Sequence, residues 1–197
     1  MRFACPFILA SGSPRRRQLL ERLGVTFEVE VSHVDETTDA EQPPADLVEH
    51  LALRKATAVA QGHPEALTLG ADTVVVLDDE VLGKPATPQE ACTMLHRLSG
   101  QTHTVYTGLG LVHPASARRV SVHEATEVTF AALTSHEIDH YVASGAPMDK
   151  AGSYGIQDDR GALFVVGIAG DYYNVVGLPL HRLYRTLQTD FADVLVG

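Results

Sequence analysis

The segment Ser11-Gly12-Ser13-Pro14-Arg15-Arg16-Arg17 places three guanidinium groups directly behind a Ser-Pro pair. Ser13 suits a helix N-cap and Pro14 the first helical position, so the arginines fall in the first turn of a helix. That end of a helix carries partial positive charge and ordinarily favours Asp or Glu. Basic residues are unfavourable there unless an anion is bound, and backbone N–H groups combined with guanidinium forks make a phosphate site. The competing reading is a solvated basic face whose arginines pair with acidic neighbours.

A second feature is Asp72, which interrupts the apolar run Leu67–Leu77. A carboxylate inside a buried strand is costly unless it is paired or bound to metal. In a site it would be a metal ligand or a general base for water. Outside one it would cap a loop at the strand's end. Lys55 lies among the apolar positions of a helical run, and Lys84 sits in Leu82-Gly83-Lys84-Pro85. Each offers a point charge for phosphate, or is a lysine whose stem covers apolar surface. Glu36, in an acidic loop, can share a metal with Asp72 or stand as a plain loop carboxylate.

His136-Glu137-Ile138-Asp139-His140 matches the H-E-x-x-H signature of zinc-protease helices. However, Glu137 is also the third residue of a capping box opened by Thr134. No third-histidine extension follows, so a zinc metalloprotease is the remote alternative. Gly108-Leu109-Gly110 lacks a dinucleotide fingerprint's third glycine, and neither a Walker A pattern nor a G-x-S-x-G elbow is present.

The elements that must carry these residues alternate in the first half of the chain. Residues 7–10 read as a buried strand, 14–23 as a helix ended by Gly24, and 26–31 as a second strand. Residues 32–44 read as a polar loop, 45–61 as a helix stopped by Gly62, and Leu67–Leu77 as a strand turning at Asp78-Asp79-Glu80. Thr87-Pro88-Gln89-Glu90 opens a helix by a capping box. Residues 102–112 and 120–130 suggest a hairpin arm, and 163–168 and 172–176 a second hairpin around Ala169-Gly170-Asp171. A closing helix occupies 180–187. The pattern predicts an α/β fold with a mixed central sheet flanked by helices.

The chain has 197 residues, 45% hydrophobic and 20% charged, enough for one domain over 1–197 with a core that needs no disulfide. A net charge of −10 argues against a nucleic-acid polymer as partner. Six per cent aromatics without Trp argues against a base-stacking surface. Cys5 and Cys92 read as reduced, buried thiols. The N-terminal apolar run is too short for a signal peptide, and no stretch reaches the roughly 18 apolar residues of a membrane span. No membrane association and a cytoplasmic location are expected.

Taken in order, several segments resemble one family. Leu9-Ala10-Ser11-Gly12-Ser13-Pro14-Arg15-Arg16 is similar to the opening motif of the Maf nucleotide pyrophosphatases. Gly70-Ala71-Asp72-Thr73, Gly83-Lys84-Pro85 and Leu98-Ser99-Gly100-Gln101-Thr102-His103 follow in the same order. Asp149-Lys150-Ala151-Gly152, Tyr154-Gly155-Ile156-Gln157 and Val176-Gly177-Leu178-Pro179-Leu180 complete the set. The resemblance spans about residues 7 to 187. It implies a Maf/ITPase-like fold of two lobes with a nucleotide-binding cleft, often a homodimer. The implied reaction releases pyrophosphate from a nucleoside triphosphate with a divalent metal.

The family's active-site acid falls on Asp72, and its cleft residues on Ser11, Arg15, Arg16, Glu36, Lys55 and Lys84. At Arg15, Thr73 and Gln157 the chain is similar to the dTTP/UTP subfamily rather than to its sister acting on 7-methyl-GTP. The resemblance therefore implies hydrolysis of dTTP and UTP, and of modified pyrimidine triphosphates, in a house-cleaning role.

Mg²⁺ or Mn²⁺, held by Asp72 and Glu36, would bridge phosphate oxygens. Asp72 would take the proton of the attacking water. Arg15, Arg16, Lys55 and Lys84 would hold the phosphates and stabilise the leaving pyrophosphate, with Ser11 and Ser13 among the substrate-binding residues. Thr73 and Gln157 would bind substrate, with Gln157 pairing O4 and N3–H of the pyrimidine. The alternatives are a pyrophosphatase of other base specificity, such as 7-methyl-GTP, and a non-catalytic nucleotide-binding regulator of septum formation.

Overall fold

Adjacent parallel strands need a crossover between them, usually a helix. The first third of the chain is built this way. In the computed structural model, which describes residues 1–35 and 42–196, β1 (Arg2–Phe3) and β2 (Phe7–Leu9) lead into α1 (Pro14–Arg22) and β3 (Glu28–Val29). Then come α2 (Pro44–Ala60), β4 (Leu67–Leu77), β5 (Glu80–Leu82), α3 (Pro88–Leu98), β6 (Thr102–His113) and β7 (Arg118–Phe130). The chain continues through α4 (Ser135–Ala143), α5 (Gly161–Phe164), β8 (Val165–Ala169), α6 (Tyr172–Val176), α7 (Leu180–Asp190) and β9 (Leu195–Val196).

Seven strands form a mixed sheet of order β3-β2-β4-β6-β7-β8, with β5 on β4, while β1 and β9 pair separately. Strand β2 runs parallel to both β3 and β4, whereas β4–β5 and β7–β8 are antiparallel. The predicted α/β class with a mixed sheet is what forms.

Two compact units divide the chain. One comprises Met1–Asp72, Thr107–Glu124 and Gly177–Gly197; the other comprises Thr73–Tyr106 and Ala125–Val176. In the first, Ile8, Leu9, Leu67 and Leu69 are buried in the strands, and Leu19 and Leu20 are buried on α1. Helix α2 lies directly on strand backbone because β4 and β6 offer glycines there. A Cβ on Gly70 would collide with the Ala52 carbonyl oxygen, one on Gly108 with the Val48 carbonyl, and one on Gly110 would sit 2.5 Å from Leu53 Cα. In the second unit, α3 packs on α4. Ile138, Tyr141, Leu95 and Leu98 are buried there.

Some expectations are corrected. The strand expected over 26–31 shrinks to Glu28–Val29, both exposed at the sheet's edge. The run at 102–130 is no projecting arm, since β6 and β7 lie inside the sheet, between β4 and β8. The expected strand Tyr172–Val176 is a helical turn. There, Asp171 Oδ1 accepts from Tyr173 N at 2.8 Å, and the buried Asn174 amide donates to the Val105 carbonyl and to Thr126 Oγ1, both at 2.9 Å. Both cysteines are free and half-buried rather than buried.

Candidate active site

The order of β3-β2-β4 reverses direction at β2. Helix α1 carries the chain to β3 on one side, while β4 lies on the other. Ligands in open α/β sheets bind outside the carboxyl ends of strands at such a switch point. Here that end is the segment from Ala10 to Ser13, whose Ala10 N–H donates to the Leu69 carbonyl at 2.7 Å. The register Leu9↔Leu69 places Asp72 on β4 three residues beyond the last pair.

Asp72 is central in β4, not at its end, and only 8% exposed. The loop-capping reading is thereby removed. Lys55, 7% exposed, donates from Nζ to Asp72 Oδ1 at 2.6 Å. The geometry follows from Gly70. Residues two apart on a strand share a face, so Gly70 and Asp72 both look toward α2. A Cβ on Gly70 would meet the backbone of Ala52 and Ala56. Without it, the helix lies close enough for Lys55 to reach the carboxylate. A buried ion pair is weak evidence for stability, because desolvation offsets most of its attraction. Its presence at a switch point is better explained by function.

Arg15 and Arg16 are half-buried and Arg17 is exposed. Arg17 pairs with Glu21 across one turn at 2.9 Å, the ordinary surface arrangement. Arg16 is tied down. Its Nε donates to the Gly177 carbonyl at 2.9 Å, and Nη1 donates to the Ala71 carbonyl at 2.8 Å and to Ser11 Oγ at 3.3 Å. Ser11, buried, also accepts from Ser13 N at 3.2 Å. Ser13 occupies the N-cap position of α1, but its side chain makes no capping bond and no acidic residue lies in the first turn. Hydrogen bonds thus join Ser11 with Ser13 and Arg16, and Lys55 with Asp72, while Arg16 braces Ala71, the residue before Asp72; Arg15 precedes Arg16 in the first turn of α1. Sequence reasoning missed the two carbonyls that hold Arg16. Backbone acceptors carry no residue-type signal, although the Gly177-Leu178 segment stands out by its motif.

Thr73, half-buried, follows Asp72 on β4. Lys84 and Gln157 are exposed and belong to the other unit. The Gly83 carbonyl preceding Lys84 accepts from Gly152 N at 3.0 Å. Gln157 Nε2 donates to Asp158 Oδ1 at 3.3 Å. Nearby, buried Lys150 donates to the Ala146 carbonyl at 2.6 Å and to Asp149 Oδ1 at 2.7 Å. Glu36 lies outside the described residues. Among those residues, no group of three or more His, Cys, Asp or Glu could hold a metal ion.

The H-E-x-x-H segment forms the start of α4, with the His136 and His140 rings stacked 6.2 Å apart. Glu137 Oε2 is taken by Thr134 N and Thr134 Oγ1, both at 2.7 Å, and the reciprocal capping bond is present. The Thr134 backbone bond, then its hydroxyl, hold the Glu137 carboxyl below its usual range. A carboxylate committed to a cap is poorly placed to act as a protease base.

A protein of Salinibacter ruber named dTTP/UTP pyrophosphatase is 54% identical over 195 residues, covering 99% of this chain and 96% of that protein. A Bacillus cytotoxicus protein of the same name is 57% identical over 182 residues, covering 92% and 94%. A HAM1 protein from Coxiella burnetii has a similar structure, with a TM-score of 0.54 over 93% of this chain and 98% of that one. At 16% identity, this likeness concerns the fold alone. Residues 6–190 match the family described as Maf-like protein, and the chain belongs to that family.

Proposed function

We propose that this chain is a nucleoside triphosphate pyrophosphatase that hydrolyses dTTP and UTP to the monophosphate and pyrophosphate. The observation that carries this reading is the buried Asp72–Lys55 pair at the switch point, next to a helix that opens with arginines. The choice of substrate is supported by relatives of that name aligned over 92–99% of the chain.

Attack of water at the α-phosphorus breaks the bond to the bridging oxygen and releases pyrophosphate. Asp72 orients that water and accepts its proton. Lys55 fixes the carboxylate through Oδ1. The first turn of α1, with Arg15, faces the developing phosphate charge, and Arg16 holds the loop through Ser11 and the Ala71 carbonyl. Lys84 adds a cation for the leaving pyrophosphate, Thr73 binds substrate beside Asp72, and Gln157 reads the base.

Mg²⁺ characteristically binds through one or two carboxylates plus substrate phosphates rather than an all-protein cage. The Asp72 carboxylate is a hard oxygen donor that suits Mg²⁺ or Mn²⁺ on that ground, and Glu36, outside the described residues, is proposed as the second carboxylate. When bound, the metal would neutralise phosphate charge and lower the pKa of a bound water. No helix among the described residues is long and apolar enough to cross a membrane, and a cytoplasmic location goes with this substrate pool.

The test is release of monophosphate and pyrophosphate from a panel of nucleoside triphosphates with Mg²⁺, with Mn²⁺ and with chelator. Metal-dependent cleavage of dTTP and UTP, with purine triphosphates intact, is expected. Cleavage of 7-methyl-GTP instead would keep the chemistry and overturn the base assignment. Binding without turnover would overturn the enzyme reading.

A further inference from the structure

Gln157 is the third residue of a tight turn, Gly155-Ile156-Gln157-Asp158, closed by Asp158 N donating to the Gly155 carbonyl at 3.0 Å. Asp158 uses both carboxylate oxygens. Oδ1 accepts from Gln157 Nε2 at 3.3 Å. Oδ2 accepts from the Tyr141 hydroxyl at 2.9 Å and lies 3.2 Å from Lys150 Nζ.

Those two partners are themselves fixed. The Tyr141 hydroxyl also accepts from Gly155 N at 3.2 Å, and buried Lys150 is anchored on Ala146 and Asp149. The turn closes tightly on this network. A Cβ on Gly155 would lie 2.6 Å from Asp158 Oδ2 and 2.7 Å from Lys150 Cε.

A glutamine amide rotates about a broad, two-fold terminal torsion. One orientation presents nitrogen where the other presents oxygen. Uracil and thymine offer an acceptor at O4 beside a donor at N3–H, whereas cytosine offers a donor at N4 beside an acceptor at N3. A freely flipping amide would therefore serve both kinds of base. An ionised carboxylate accepts and never donates, so it admits the amide nitrogen and repels the amide oxygen.

We propose that Asp158, braced by Tyr141 and Lys150, is a specificity-determining positioning residue. It locks the Gln157 amide in the orientation that pairs with uracil and thymine and mismatches cytosine. This rests on the dTTP/UTP reading above and on Gln157 as its base reader.

The experiment measures kcat and KM for UTP and CTP with the wild type, Asp158→Asn and Tyr141→Phe. A carboxamide at 158 can meet the Gln157 amide in either orientation. In Asp158→Asn the UTP-over-CTP ratio of kcat/KM should fall about tenfold, the scale of one hydrogen bond, with the change in KM. Tyr141→Phe, which removes one brace, should lower the ratio by about two- to threefold, and it carries the test alone if the Asn variant does not fold. Equal losses on both substrates, leaving the ratio unchanged, would mean that Asp158 is merely structural and would overturn the proposal. A wild type that cleaves UTP and CTP equally well would overturn the base-reading premise itself, a result distinguishable because it appears before any substitution is made.

Discussion

Asp72 and Lys55 are the side chains on which the proposed chemistry depends, and their isolation from water makes each sensitive to loss of the other. Asp72→Asn keeps an acceptor oxygen for Lys55 Nζ but removes the proton-accepting charge. UTP turnover should fall by roughly 10²–10⁴-fold, with the circular dichroism spectrum retained. A near-normal rate in that variant would remove Asp72 from the base role. Lys55→Met leaves a buried carboxylate without compensation and should cost about 3–5 kcal/mol in denaturant unfolding.

A different effect belongs to His103, which is 2% exposed, shares a 2.8 Å hydrogen bond with the Tyr154 hydroxyl and packs edge-on to Phe130. Burial lowers its pKa to about 4. Since the folded value lies below the unfolded one, the native state excludes a proton that the unfolded chain accepts. Stability is therefore complete above pH ~6.5 and falls as pH drops toward 4, by about 3 kcal/mol in all. His103→Phe should remove this part of the slope, read as the difference in unfolding free energy between pH 7 and 4.5. An unchanged slope would rule His103 out as its source.

At the scale of elements, the close approach of α2 to β4 and β6 decides where Lys55 lies. Gly108→Ala would drive a methyl into the Val48 carbonyl. It should destabilise by about 1–3 kcal/mol through overpacking and lower turnover by displacing α2. Gly83→Ala is the control. A Cβ there meets nothing within 4 Å, so stability should stay within about 0.5 kcal/mol. Equal thermal midpoints for the two variants would contradict this account of α2.

Helix boundaries were readable because capping chemistry is local. Thr134 and Glu137 form the full box. Thr87 Oγ1 accepts from Glu90 N, while Glu90 reaches Ala86 N rather than Thr87 N. The five residues Tyr172–Val176 were misread because a short apolar run has no decisive period. Its helical turn is fixed by bonds to Val105 and Thr126, more than 40 positions away.

For the molecule as a whole, the net charge of −10 is the dominant long-range property. It opposes polyanion binding even though arginines cluster at α1, because each phosphate of a long strand must approach the whole field. Labelled single-stranded RNA should show no binding tighter than ~10⁻⁴ M at physiological salt, the weak end of non-specific binders. Excess RNA should leave UTP turnover unchanged. Tight binding would overturn the exclusion of nucleic-acid partners.

The α/β class, the positions of most helices and the candidacy of Asp72, Lys55 and Arg16 were determined by sequence alone. Periodicity, caps and an acid in an apolar run are consequences of short-range chemistry. Only the tertiary structure decided that Lys55 meets Asp72, that Arg16 donates to the Ala71 and Gly177 carbonyls, and that Asp158 accepts from Gln157 beside Tyr141 and Lys150. Most of these contacts join residues distant along the chain. Which donor meets which acceptor depends on how helices and turns settle on the sheet, and glycines such as Gly70 and Gly155 set that spacing by what they lack.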